Sequence, residues 1–206
     1  MWASCIRHEG KATRLGTFSE EEQAAQTRSR RVSTVRMKGD DMTKGKGAAE
    51  AMMRQLEATG WMLHLGRHAV SCFLTRGQLW QNWKHGRDVF ERKLIDSDWA
   101  LNNGNWLWLA GVAPFSMPYY RVYNPCPDSK SSLNVETKDA SFIRHWVPEL
   151  ASFPSKYIFE PHLAPEHVQE ESGCIIGTDY PSPIVDRKES RRVNLDLFKE
   201  SLSRIA

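Results

Sequence analysis

The chain has 206 residues, 40% of them hydrophobic and 26% charged, an ordinary composition for a globular protein with one domain, or one domain and a tail. Its formal net charge of +3 arises in residues 1–50, where ten Lys and Arg face seven Asp and Glu, and is too small to prove a nucleic-acid partner. Four widely spaced cysteines without a Cys-x-x-Cys pair argue against a zinc site or a disulfide framework and favour a reducing intracellular compartment. No apolar run approaches the ~18 residues of a membrane span.

Residues 1–47 differ in composition from the rest of the chain. They are polar, poor in aliphatic residues and without sustained periodicity, so they cannot bury enough apolar surface to offset the entropy lost on folding. We therefore predict a mostly disordered basic leader. Its run Arg28-Ser29-Arg30-Arg31 is compatible with a nuclear address, although a solvated tail is the more frequent explanation, so both nucleus and cytoplasm are candidate locations.

Residues 48–206 have the periodicity of α-helices. Apolar residues recur at helical spacing over residues 48–56 and 61–73, with a break at Thr59-Gly60, where glycine favours a left-handed cap. Gly77 and Gly86 are predicted to bracket a turn region. A short helix should then end near Asp96, followed by loop with another short helix through Trp106.

The C-terminal part begins with a predicted loop that extends through residues 125–138. Helices are predicted over residues 142–147, ending at Pro148, and from Ala164-Pro165-Glu166 to Gly173, followed by an extended link at residues 180–183. A last helix places Leu195, Phe198, Leu202 and Ile205 on one face. Since no strand pattern persists for more than a few residues, we predict an all-α helical bundle with long loops.

His64 and His68 are four residues apart and therefore lie on one face of a helix. Three interpretations compete for this pair. A zinc helix needs Glu after the first His, and Leu65 occupies that position, so a metal site is improbable. A structural pair is the usual explanation for isolated histidines, and a proton-handling pair suits a side chain that titrates near neutrality.

Two carboxylates follow the third predicted helix at Asp96 and Asp98. At the C-terminal end of a helix they oppose the macrodipole, so a partner must offset the cost. Arg67 is a candidate partner for one, and the other is able to accept hydrogen bonds from a nucleotide sugar; a solvent-facing acidic turn is the alternative. The amide of Asn102 suits the edge of a heterocycle.

The tryptophans Trp83, Trp106 and Trp108 lie within the same stretch. Together they are compatible with a chain of indoles for electron hopping or with a stacking surface for bases. Taken singly, each is more often an ordinary core residue.

Several ordered strings in this chain resemble the photolyase/cryptochrome family, specifically the second half of its helical flavin domain. They lie within residues 48–202 and include RHAVSCFLTRG at 67–77, Asp96-x-Asp98-Trp99, NNGNWLW at 102–108, YYRVYNP at 119–125, FIRHWVPEL at 142–150 and Asp179-Tyr180-Pro181. The resemblance implies an FAD bound in a helical bundle. Photolyases for cyclobutane dimers typically have Asn and Met where this chain has His64 and His68, so the pattern is similar to (6-4) photolyases and animal-type cryptochromes.

The resemblance also implies roles for individual residues. The cofactor-binding residues would be His64, Arg67, Asp96, Ser97, Asp98 and Asn102, with Arg67 paired to Asp96, Asp98 directed to the adenosine ribose and Asn102 directed to the reactive nitrogen of the flavin. Trp106 and Trp83 would carry electrons. Trp61 and Trp108 would wall the cavity for a flipped-out pyrimidine lesion, and Arg121 would face a phosphate. His64 or His68 would be the proton-donating catalytic residue, with no metal at the site.

These implications leave three functional hypotheses. The first is light-driven repair of a pyrimidine photoproduct in damaged DNA; the second is a blue-light photoreceptor or clock regulator that acts through signalling protein partners. The third is a truncated, inactive fragment, because the antenna domain and the first half of the flavin domain, including its phosphate-binding loop, have no counterpart in residues 1–46. We accordingly expect this chain to bind FAD weakly or not at all, and to contact no membrane.

Overall fold

Helices dominate the parts of the chain that the computed structural model describes, residues 47–113 and 139–203. The α-helices are α1 (Gly47–Thr59), α2 (His64–Cys72), α3 (Trp83–Lys93), α4 (Trp99–Ala110), α5 (Ser141–Trp146), α6 (Glu166–Glu171) and α7 (Arg187–Ser203). Short 3₁₀ turns occur at Pro148–Leu150 and Pro161–Leu163. In these two ranges there is no strand, only an isolated bridge between Ile176 and Tyr180, so the all-α prediction is confirmed.

Several predicted boundaries are present where the sequence pattern places them. Helix α1 ends beside Gly60, which adopts the left-handed conformation with φ 69° and donates its N–H to the Leu56 carbonyl at 2.8 Å. Helix α6 is followed by Gly173 with φ 66°. Helix α5 ends at Trp146, directly before Val147-Pro148, because proline disfavours the helical conformation in the residue that precedes it.

Three details of the helical prediction are wrong. Gly86 lies inside α3 rather than at a turn, and the predicted short helix through Trp106 is the twelve-residue α4. Asp96 and Asp98 lie between α3 and α4, and Asp98 is the N-cap of α4, so its carboxylate stabilises that helix terminus rather than opposing it. The sequence pattern failed here because Asn102, Asn103 and Gly104 have low helix propensity, which tertiary packing overrides.

Two helix pairs enclose the core. Helix α1 packs against α5, α3 packs against α4, and α2 lies between them with contacts to both α1 and α4. The largest fully buried apolar side chains are Leu56, Met62, Trp106, Leu109, Ile143, Val147, Leu150, Phe153, Ile158 and Tyr180. This packing fixes α2 and α4 side by side, and the candidate site lies along that seam.

Helix α2 continues directly into wider, π-type turns at Phe73–Gly77. Thr75 has φ −92° and ψ −120°, outside the helical region, and its hydroxyl donates to the Ser71 carbonyl at 2.6 Å. Both side chains are buried. The chain therefore bends at the end of α2, and the buried Thr75 hydroxyl keeps a hydrogen-bond partner at the bend.

An ionic network around the buried Glu50 ties α1 to the C-terminal part of the described chain. Glu50 is 6% exposed and accepts hydrogen bonds from Arg54 at 2.7 Å and from the Tyr180 hydroxyl at 2.7 Å. Arg54 also donates to both oxygens of Glu149, at 2.8 and 2.9 Å, and these hydrogen bonds lower the pKa of Glu149. Burial, with the adjacent Glu50 carboxylate, raises the pKa of Tyr180, so its hydroxyl stays protonated as a donor to Glu50.

We expect Arg54→Met to lower the free energy of unfolding by about 2 kcal/mol, because it removes a cation that donates two hydrogen bonds to the buried Glu50 carboxylate. Urea unfolding of the full chain measures this change. Arg192→Met is the control: Arg192 pairs with Glu189 on the exposed face of α7, where an ion pair contributes little. Equal effects of the two substitutions would contradict the role of Arg54 in stabilising the buried Glu50 carboxylate.

Some sequence predictions lie outside the described residues. They are the disordered leader, the loop at residues 125–138, the side chain of Leu202, the position of Ile205 and the role of Arg121. Among the described helices, none combines the length and apolar character that crossing a membrane requires.

Candidate functional site

An open cavity of about 130 Å³ lies between α2, α4 and the segment that joins α3 to α4. It is smaller than the ~300–1,000 Å³ usual for sites that enclose a whole small molecule or cofactor. The lining residues are His64, Arg67, His68, Ser71, Phe90, Leu94, Asp96, Ser97, Asp98, Leu101, Asn102, Asn105, Trp106 and Leu109. The cavity thus gathers all seven residues predicted to be catalytic or cofactor-binding. It also includes Trp106, which is predicted to carry electrons.

Arg67 connects α2 to the segment before α4. Its Nη2 lies 3.0 Å from both carboxylate oxygens of Asp96, and its Nε donates to the Met62 carbonyl at 2.8 Å. The guanidinium carbon is 5.1 Å from the ring centroid of Trp61, within the range of a cation–π contact. The ion pair expected between Arg67 and Asp96 is therefore present, and three contacts fix the guanidinium at the cavity wall.

Asp98 begins α4 and also faces the cavity. Its Oδ1 accepts the backbone N–H of Leu101 at 2.8 Å, and among the described residues no group donates to its Oδ2. The residue is exposed. One carboxylate oxygen thus caps the helix while the other is accessible to a ligand hydroxyl.

We expect Asp98→Ala to lower the free energy of unfolding by about 1 kcal/mol through loss of the N-cap. Asp98→Asn is the matched control, since its amide oxygen still accepts the Leu101 N–H. Urea unfolding of both variants makes the comparison. If Ala and Asn prove equally stable, the cap does not contribute in solution.

The two histidines on α2 face each other at the cavity. Their ring centroids are 4.2 Å apart, and the His68 ring makes an edge contact with Trp108 at 5.5 Å. His64 is exposed at the rim, whereas His68 is only 8% exposed. The pair therefore spans the cavity wall from solvent to interior, an arrangement suited to moving a proton inward.

The Asn102 amide is held in one orientation. Its Nδ2 donates to the Arg87 carbonyl of α3 at 3.0 Å, and the residue is 8% exposed. No group among the described residues donates to its Oδ1. Because Asn102 lines the cavity, Oδ1 is the atom that a ligand N–H would meet.

Trp106 lines the cavity from α4 and Trp83 lies on the facing helix α3. Trp106 is 1% exposed, packs edge-on against Phe90 at 5.1 Å, and its buried Nε1 has no hydrogen-bond acceptor among the described residues. Its six-membered ring lies against Gly86, one turn after Trp83. The two indoles predicted to carry electrons thus lie on either side of the contact between α3 and α4.

The residues predicted to contact a lesion are only partly brought to this cavity. Trp61 is 45% exposed beside Arg67, and Trp108 contacts His68, so both are next to lining residues without lining the cavity themselves. Arg121 lies outside the described residues.

Sequence reasoning missed several residues of the wall. Ser71 follows Arg67 by four positions, and Asn105 and Leu109 follow Asn102 by three and seven, so helical spacing from predicted residues was a usable signal for these three. Gly86 and Arg87 had no such signal, because their importance arises from contacts between α3 and α4.

The lining residues fit part of the FAD that the resemblance implies. Asn102 Oδ1, the unsatisfied Trp106 donor and the free oxygen of Asp98 match a heterocycle edge and sugar hydroxyls. Among the lining residues that the structure describes, Arg67 is the sole Lys or Arg and already pairs with Asp96, while Asp98 adds a second carboxylate. The described wall therefore fits the flavin ring and the ribose but not the charge of a pyrophosphate.

The sequence makes a metal site at His64 and His68 improbable, since Leu65 stands where a zinc helix has Glu. In the described part of the chain, no group of three or more His, Cys, Asp or Glu side chains is arranged to hold a metal ion.

Comparison with known proteins finds relatives over most of this chain. The family model for the FAD binding domain of DNA photolyase matches residues 43–200. A (6-4) DNA photolyase of Oryza sativa subsp. japonica is 51% identical over 137 residues, which cover 66% of this chain and 24% of that protein. Cryptochrome-1 of Erithacus rubecula is 42% identical over 151 residues, 73% of this chain and 24% of that protein.

A solved structure is similar as well. The crystal structure of a class III photolyase from Agrobacterium tumefaciens matches with a TM-score of 0.72 and 28% identity, covering 94% of this chain and 37% of that one. The chain therefore spans about a quarter of the length of the curated relatives it matches.

Proposed function

The chain belongs to the family of DNA photolyase FAD-binding domains, whose cofactor is FAD, and we propose that it forms the flavin-ring and substrate side of a light-driven (6-4) photolyase. The observation that carries this proposal is the tilted contact pair His64 and His68, with ring centroids 4.2 Å apart, in the cavity that also holds the Arg67–Asp96 pair and Asn102. The 51% identity to a (6-4) DNA photolyase over 137 residues supports the same reaction.

Each part of the wall has a task in this proposal. When bound, FAD supplies the light-absorbing ring and the electron that reaches the lesion. Asn102 accepts a hydrogen bond from the ring edge, and Asp98 accepts one from the ribose. Asp96, fixed by Arg67, presents a carboxylate of defined orientation, and Ser97 lies between the two acids at the same wall.

The histidines handle the proton. An electron added to a pyrimidine lesion leaves negative charge, which proton donation from an adjacent acid neutralises. His64 is at the rim, where a flipped-out base arrives, and His68 behind it is shielded from solvent. We assign His64 as the donor, with His68 as the second candidate.

The exposed rim is suited to a base that has left the duplex. Trp61 offers an exposed indole face beside Arg67, and Trp108 lies against His68. Aromatic faces stack on extruded bases, and flipping is required because a cofactor in a cavity cannot reach a base inside the helix.

The proposal is tested with the full chain, excess FAD, a chemical reductant and a duplex that carries one (6-4) photoproduct. Because the described part of the wall offers a pyrophosphate no cation besides Arg67, which is paired with Asp96, FAD is supplied in large excess and its binding is measured separately by retention through gel filtration. We expect restoration of the two pyrimidines under blue light and none in the dark. FAD retention without any conversion of the lesion would reject the repair function.

A second candidate is a blue-light photoreceptor that acts through protein partners. The 42% identity to Cryptochrome-1 over 73% of this chain favours it. The same experiment discriminates, since a photoreceptor would reduce its flavin under light yet leave the lesion intact. A chain that neither retains FAD nor converts the lesion would support the inactive fragment instead.

A further inference from the structure

Arg87 on α3 touches both sides of the helix pair that carries the two indoles. Its guanidinium carbon lies 5.4 Å from the ring centroid of Trp83, and its Nη1 donates to Asn103 Oδ1 on α4 at 3.1 Å. Its backbone carbonyl accepts the Asn102 amide at 3.0 Å. Arg87 thus orients the Asn102 amide through its backbone carbonyl and places its guanidinium over the Trp83 ring.

The cation over Trp83 is held in place from two directions. Asn103 accepts a hydrogen bond from the guanidinium through its Oδ1. The Asn103 amide is itself fixed, because its Nδ2 donates to the Trp99 carbonyl at 2.8 Å. Asp88 accepts from the Nε and Nη2 atoms at 2.7 and 2.5 Å. The Asp88 side chain is 45% exposed and the Arg87 side chain 24%. Water therefore screens the negative charge of Asp88 more than the positive charge of Arg87 beside Trp83.

A cation against an indole face interacts favourably with the neutral ring and unfavourably with an oxidised, positively charged ring. We propose that Arg87 is a positioning residue that controls how readily Trp83 gives up an electron. This inference rests on the proposed function for its biological meaning, because Trp83 matters only if it donates electrons toward the cavity. The contact with Trp83 does not depend on FAD.

The step under control is a single electron transfer. Oxidised Trp106 accepts one electron and returns to neutral tryptophan, while Trp83 loses one electron and becomes a radical cation. No bond to hydrogen is broken and no group is transferred. The positive charge moves from Trp106 to Trp83, toward Arg87, so the guanidinium opposes the step.

The experiment uses the full chain without FAD. A flash-quenched ruthenium tris-bipyridine complex serves as the oxidant: each ruthenium(III) accepts one electron from a tryptophan, and transient absorption follows the indole radical. The component due to Trp83 is the difference between each variant and the same variant with Trp83→Phe. We expect Arg87→Met to accelerate that component about three- to tenfold.

Two further variants identify charge as the cause. Arg87→Lys retains a cation on the same helix face and should remain within about twofold of the wild-type rate. Lys84→Met removes an exposed cation next to Trp83 in sequence and should leave the rate unchanged. Circular dichroism verifies that each variant is folded, and Arg87→Lys provides the charge test if Arg87→Met does not fold.

The inference is overturned if Arg87→Met oxidises at the wild-type rate or if its acceleration persists in the Trp83→Phe background. It is equally overturned if Arg87→Lys accelerates as much as Arg87→Met, since packing rather than charge would then be the cause. Failure of lesion repair in the FAD-loaded chain would reject the proposed function and leave this FAD-free measurement unaffected.

Discussion

His64→Asn is expected to lower light-driven conversion of the (6-4) photoproduct by about 10²- to 10⁴-fold, the usual contribution of a general acid. Asparagine retains polar atoms at the rim but cannot supply a proton as an acid. The measurement is the initial rate of pyrimidine restoration per absorbed photon, with FAD in excess and its bound fraction determined for each variant. His68→Asn should have a smaller effect if His68 acts through His64, whose ring lies 4.2 Å away.

His85→Asn is the matched control for this prediction. His85 is an exposed histidine of α3 that does not line the cavity, so its replacement should leave conversion at the wild-type rate. Unchanged conversion in both His64→Asn and His68→Asn would refute the proton-donor role. The photolyase assignment would then depend on the remaining wall alone.

The sequence predicted those parts of this structure that local chemistry determines. Gly60 could be assigned as a helix end because a glycine after a periodic run favours a left-handed cap. The spacing of His64 and His68 placed both rings on one face of α2, and the structure has them in contact. The resemblance supplied Arg67 and Asp96, which are 29 residues apart and form an ion pair. Their roles toward FAD and DNA stay predictions.

What the sequence did not reveal arises from contacts between helices. The extent of α4 was underestimated because Asn102, Asn103 and Gly104 weaken the local helix signal, while the Asp98 cap and burial of Trp106 stabilise it. The orientation of the Asn102 amide depends on a backbone carbonyl fifteen residues earlier in the chain, at Arg87. No local pattern encodes such a bond.

Gly86→Ala is expected to lower the free energy of unfolding by about 3 kcal/mol, the upper part of the usual range for overpacking. A Cβ at this position would lie 2.0 Å from Cη2 and 2.5 Å from Cζ2 of Trp106, whose indole is only 1% exposed, so the two groups cannot both keep their positions. Either α3 moves away from α4 or Trp106 shifts toward the cavity. Urea unfolding gives the change in stability, and near-ultraviolet circular dichroism reports the environment of the indoles.

Gly104→Ala is the control, because Gly104 also lies inside a helix, α4, but a Cβ there would meet nothing within 4 Å. Alanine should stabilise that half-buried helical position by about 0.5–1 kcal/mol, because a Cβ there has open space. If Gly86→Ala lowers the free energy of unfolding and Gly104→Ala raises it, helix propensity cannot explain both. The close approach of α3 to the Trp106 ring would then explain why position 86 is glycine. Equal stabilisation by both alanines would mean that α3 and Trp106 lie farther apart in solution. In that case α3 would no longer fix Trp106 at the cavity wall, and the route from Trp83 to the cavity would lose its structural basis.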